Sequence, residues 1–126
     1  MSFDVSSLYT NVPVREAIQI CADLMFDPIK NYPRPPVNKD TFITLAKIAS
    51  CDVVMSTHAG FYRQIDGLAM GSPPAPHLAN GWMSQFDNTI KGTSKVYTRY
   101  MDDILCDIEK SKIETKLTSI NSLHHL

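Results

Sequence analysis

Two adjacent acids, Asp102 and Asp103, sit between apolar residues in the stretch Tyr100-Met101-Asp102-Asp103-Ile104-Leu105. Asp is a common turn residue, so the pair by itself reads most simply as an acidic hairpin loop. Asp4 weakens that simple reading. It lies between Phe3 and Val5 in a β-rich segment, where Asp is disfavoured and a buried carboxylate needs a partner. Three carboxylates brought to one point repel one another unless a divalent cation holds them, and Mg²⁺ prefers a sparse carboxylate set completed by water and phosphate. A third feature is the run Gly67-Leu68-Ala69-Met70-Gly71-Ser72-Pro73-Pro74. Its glycines let backbone approach a ligand closely just before a helix N-terminus, although an ordinary strand-to-helix turn has the same composition.

These residues must be positioned by the elements around them. Residues 2–9 alternate weakly and end at Thr10-Asn11, which predicts a strand. Pro13 suits a helix first turn, and Ala17, Ile18, Cys21, Leu24 and Met25 fall on one face, so a helix is expected over 13–26. Four prolines between Asp27 and Asn38 make that stretch a loop. Asp40 is the expected cap of a second helix whose buried stripe is Phe42, Leu45, Ala46 and Ala49. Residues 53–57 and 61–65 predict a hairpin across His58-Ala59-Gly60. A helix over 74–89 follows, with Ala75, Leu78, Ala79, Trp82 and Phe86 inward. Residues 96–101 and 104–108 predict a second hairpin carrying the two aspartates at its tip, with Arg99 on the solvent face. Ile113, Leu117, Ile120 and Leu123 form the stripe of a last helix. The order implies an α+β fold, with helices on one face of an antiparallel sheet.

Three segments in this order resemble motifs A, B and C of a reverse transcriptase palm. They are FDVSSLYTNVP (3–13), YRQIDGLAMGSPPAPHLANGWM (62–83) and YTRYMDDIL (97–105). The wording of the first two, above all Gln64-Ile65-Asp66-Gly67 and Ala69-Met70-Gly71-Ser72-Pro73, is most similar to Penelope-like retroelement enzymes. The resemblance covers nearly all of residues 1–126 and implies an RNA-directed DNA polymerase working by two-metal nucleotidyl transfer. It implies Asp4, Asp102 and Asp103 as catalytic ligands of two Mg²⁺ ions, with Mn²⁺ an alternative, and an RNA template, a DNA primer and dNTP as partners. By the same resemblance Tyr9 is the gate against a ribose 2′-OH, and Gly71 with Ser72 contacts the incoming nucleotide. Met70 stands where many such enzymes have Gln. Arg63 and Gln64 are equally well template or phosphate contacts and exposed strand residues. The family's basic fingers and its thumb have no counterpart in these residues, so a partial palm, inactive in isolation, is expected. Both edges of the sequence look cut.

Composition narrows the alternatives. An apolar fraction of 44% predicts a folded domain, whereas a net charge of −1 advertises no global attraction to nucleic acid. The three cysteines have no close spacing, so neither a disulfide framework nor a zinc site is expected. His58, His77, His124 and His125 lack spacing partners and are expected to be non-catalytic. No apolar run approaches the roughly 20 residues that cross a bilayer, and an intracellular location is expected. Other palm nucleotidyltransferases, such as an RNA-dependent RNA polymerase or a nucleotide cyclase, remain open. So does a non-catalytic relic or domesticated module.

Overall fold

The computed structural model describes residues 2–107 apart from 52 and 93, together with 112, 114, 115 and 118. The expected helix over 113–123 lies largely outside the described residues. The chain divides into two compact units, one formed by Met1–Ser6 with Met83–Leu126, the other by Ser7–Trp82.

In the first unit, β1 (Ser2–Asp4), β4 (Tyr97–Tyr100) and β5 (Asp103–Cys106) form an antiparallel sheet in the order β1-β5-β4. The register sets Asp4 opposite Asp103 and Tyr100 opposite Asp103. Alternation along β5 buries Ile104 and Cys106 and exposes Asp103 and Leu105. Arg99 pairs with Ile104 and Tyr97 with Cys106, so Tyr97 and Arg99 share the covered face. Helix α4 (Ala75–Lys91) contributes Met83, Phe86 and Ile90 to the buried set, and its Asp87 bonds both Tyr97 and Arg99. This sheet is therefore covered on one face by a helix and open on the other, as the α+β reading expects.

The second unit holds α1 (Leu8–Asn11), α2 (Val14–Met25), α3 (Lys39–Ser50), the hairpin β2 (Val54–Thr57) and β3 (Gly60–Arg63), and the first part of α4. Its core is small-residue packing: Val12, Ala17, Ile18, Ala22 and Ala79 are completely buried, beside Leu68, Leu78 and Trp82. A Cβ placed on Gly81 would lie 2.2 Å from the Cys21 sulfur, so α2 and α4 approach too closely there for a larger residue. Helices α2 and α3 meet through the rings of Phe26 and Phe42, 5.9 Å apart, and through the Lys39–Asp23 ion pair.

Several expectations are corrected. The first strand stops at Asp4; Ser7 takes a left-handed φ of 50°, and the chain turns into the single helical turn α1. Tyr9 consequently sits on a helix, and Asp4 is an exposed strand end instead of a buried mid-strand residue. The cap of α3 is Asn38, whose side-chain oxygen accepts from the Thr41 amide at 2.8 Å; Asp40 lies in the first turn. The stripe of α3 is only partly covered, since Leu45 and Ala49 are exposed. The first hairpin turns on His58-Ala59 alone, with Thr57 paired to Gly60. Arg99 is not on the solvent face: its side chain is 10% exposed.

Candidate metal centre and nucleotide loop

The tip of the second hairpin is a two-residue turn, Met101-Asp102, closed by the Tyr100–Asp103 pair. Met101 has a φ of 54°, in the left-handed region that such a turn normally gives to Gly. Strain of this kind costs about 1–3 kcal/mol and persists only where the surroundings hold it. Two sets of contacts do so. The Val5 amide donates to the Asp102 carbonyl at 3.0 Å, tying the turn to the end of β1. On the covered face, Arg99 Nη1 donates to the Met101 carbonyl at 2.9 Å.

The result brings Asp4, Asp102 and Asp103 together, each offering a carboxylate oxygen within 4.8 Å of the others. Asp102 is half-buried, and Asp4 and Asp103 are exposed. Asp4 and Asp103 are direct cross-strand partners, a like-charge arrangement that destabilises a sheet. All donors are hard carboxylate oxygens, the set that suits Mg²⁺ or Mn²⁺. The residues therefore fit a divalent cation, which would offset the repulsion among them.

Behind the turn lies a network that the sequence pattern did not single out. Arg99 forms a two-pronged ion pair with Asp87, Nε to Oδ1 at 2.7 Å and Nη2 to Oδ2 at 2.9 Å. The Tyr97 hydroxyl donates to the same Asp87 Oδ1 at 2.5 Å. Burial pushes the Asp87 carboxyl up, but Arg99, Tyr97 and the nearby cationic charge together hold it below its usual range. The bond to Asp87 raises the Arg99 guanidinium, while burial followed by Asp87 raises the Tyr97 phenol. Two sequence signals pointed here: Arg99 shares strand parity with Tyr97, and Asp87 adjoins Phe86 on an inward helix face.

The glycine loop belongs to the second unit. Its anchor is Asp66, whose Oδ1 accepts from the Val14 amide at 3.1 Å and the Gly67 amide at 2.9 Å. That carboxylate caps the start of α2. The Leu68 amide donates to the Tyr9 carbonyl at 2.6 Å, and a Cβ on Gly67 would lie 2.7 Å from the Thr10 carbonyl oxygen. Tyr9 and the 66–68 segment are thus held together, with Tyr9 half-buried. Gly71 is different: its φ is +86°, yet a Cβ there meets nothing within 4 Å. Gly71 is exposed, Ser72 half-buried and Met70 83% exposed, so this end of the loop faces open space. Arg63 is exposed on β3. Gln64 spends its amide on the Asp66 carbonyl at 3.0 Å, a structural contact the sequence did not suggest.

Among the described residues no helix is long and apolar enough to cross a membrane. A search of curated proteins finds no match. Residues 1–124 match the family described as reverse transcriptase (RNA-dependent DNA polymerase), a span that takes in both the three aspartates and the glycine loop. The chain belongs to the reverse transcriptase family.

Proposed function

We propose that this chain is the palm portion, motif A (3–13) through motif C (97–105), of an RNA-directed DNA polymerase from a Penelope-like retroelement. Asp4, Asp102 and Asp103 are its catalytic carboxylates and the ligands of two Mg²⁺ ions, with Mn²⁺ able to substitute. The observation that carries this reading is the convergence of Asp4 with Asp102 and Asp103 at the shared end of β1 and β5. Bound divalent ions would supply Lewis-acid activation of a primer 3′-OH and neutralise the charge of the triphosphate. The chain's own contribution is alignment. The carboxylates fix where the cations reside, and the strained turn keeps Asp102 in place before substrate arrives. Gly71 leaves its backbone open to a nucleotide, Ser72 adds a polar contact, and Arg63, exposed on β3, is the weaker candidate for a template or nucleotide phosphate contact. The ring of Tyr9 excludes a ribose 2′-OH, which favours dNTP over rNTP and separates this reading from an RNA polymerase.

Catalysis is tested in a polymerase carrying residues 1–107 as its palm, extending a DNA primer on an RNA template. Asp4→Asn or Asp102→Asn is expected to lower extension by roughly a hundredfold or more. Asp40→Asn, on the exposed side of α3, is expected to leave it unchanged. Extension that survives Asp102→Asn contradicts the assignment. The isolated 126-residue chain, with a net charge of −1 and little electrostatic hold on a template, is expected to give little or no product. Robust Mg²⁺-dependent cDNA from it would overturn that part.

A further inference from the structure

The aspartate turn is gripped from behind by a charge pair that takes no part in holding a cation. The open face of the sheet carries Asp4 and Asp103, while Arg99 and Tyr97 lie on the covered face with Asp87 of α4. Arg99 ties α4 to the turn. Its fork closes on Asp87, and its remaining nitrogen donates to the carbonyl of Met101, the residue with the left-handed φ. A guanidinium can do this because its donors are fixed in one plane and point in different directions. The Asp87 carboxylate is in turn fixed by Tyr97, so Arg99 has little freedom to swing away.

We propose that Asp87 and Arg99 are positioning residues for the cation-binding turn: the pair anchors α4 to the Met101 carbonyl and holds the strained peptide that presents Asp102 to Asp4 and Asp103. Met101 has no glycine's freedom to adopt its conformation, so an external hold is required. The bond from Val5 to the Asp102 carbonyl fixes the front of the turn, and Arg99 fixes the back. Partners behind a set of metal ligands commonly govern affinity by orienting the ligands without touching the ion.

Charge and position predict opposite results, which makes the inference testable. Arg99 is a cation close to a cation site. If it acted through its charge, Arg99→Met would tighten cation binding, because a repulsive neighbour is lost and Asp87 is left as an extra anion. As a positioning residue, Arg99 predicts weaker binding.

The test uses the whole chain, Mn²⁺ as the probe with electron paramagnetic resonance as its readout, and amide exchange at Val5. The main variant combines Asp87→Leu with Arg99→Met. It keeps net charge constant and replaces a buried pair by apolar groups, a change proteins often tolerate in stability. With an unchanged urea midpoint, this variant is expected to bind Mn²⁺ about tenfold more weakly. Val5 amide exchange is expected to accelerate in parallel. Arg99→Lys, which keeps the charge but cannot reach Asp87 and Met101 together, is expected to show the same two changes and serves if the double variant does not fold. Asp40→Asn, at an exposed position of α3 outside this network, is expected to bind Mn²⁺ like the parent. Unchanged Mn²⁺ affinity and unchanged Val5 exchange in a folded double variant would overturn the proposal, as would tighter Mn²⁺ binding in Arg99→Met. The Mn²⁺ arm rests on the metal reading above, and Asp102→Asn checks that reading separately. If Asp102→Asn leaves Mn²⁺ binding intact, the metal reading fails, and Val5 exchange alone decides the role of the clamp.

Discussion

At the scale of single residues, the two loop glycines do different jobs. Gly67 combines a positive φ with a Cβ position 2.7 Å from a backbone oxygen, so neither conformation nor space admits a side chain. Gly67→Ala is expected to destabilise the chain by about 2 kcal/mol, and Gly71→Ala, strained in φ but in open space, by about 1 kcal/mol. Urea unfolding of both variants measures the difference; equal costs would show that the Thr10 contact is unimportant. Asp87 sets an acid limit on stability. Its carboxyl titrates lower folded than unfolded, so its contribution is complete above about pH 4 and is lost as pH falls through the folded value. Unfolding free energy measured between about pH 2 and 6 should therefore fall toward acid in the parent and fall less in Asp87→Asn. Tyr9→Ala, in a polymerase carrying this palm, is expected to relax discrimination against rNTP; unchanged selection would remove Tyr9 from the gate.

Among the elements, the differences between expectation and structure have local causes. The run 2–9 alternates well enough to predict one strand, but β1 ends at Asp4 and Ser7 takes a left-handed φ that carries the chain into α1. The expected cap of α3 was Asp40, but the chain uses Asn38 two residues earlier, leaving Asp40 to interact favourably with the helix dipole. Asn38→Ala is expected to cost about 1 kcal/mol and Asp40→Ala about 0.5 kcal/mol or less, read from the shift in urea midpoint. A reversal of that order would return the cap to Asp40. The helix over 75–91 was legible because its apolar residues keep a single helical period from Ala75 to Phe86. The Asp66 cap was not, because an aspartate in a loop reveals nothing of an amide 52 residues away.

Over the whole molecule, the convergence of Asp4 with Asp102 and Asp103 was legible from the order of three segments along the chain, although each segment alone reads as an ordinary strand, loop or turn. Asp87 and Arg99 escaped notice because isolated charges on a helix and a strand look like solvated surface until α4 packs on the sheet and brings them together. The family match over residues 1–124 agrees with the α+β architecture. Everything proposed for the site requires Asp4, Asp102 and Asp103 to hold divalent cations together. Paramagnetic broadening of the chain's amide resonances by Mn²⁺ tests it most directly. Broadening centred on Asp4 and on Asp102–Asp103, displaced by Mg²⁺ and abolished by Asp102→Asn, is expected. Broadening centred elsewhere, or unaffected by Asp102→Asn, would contradict it.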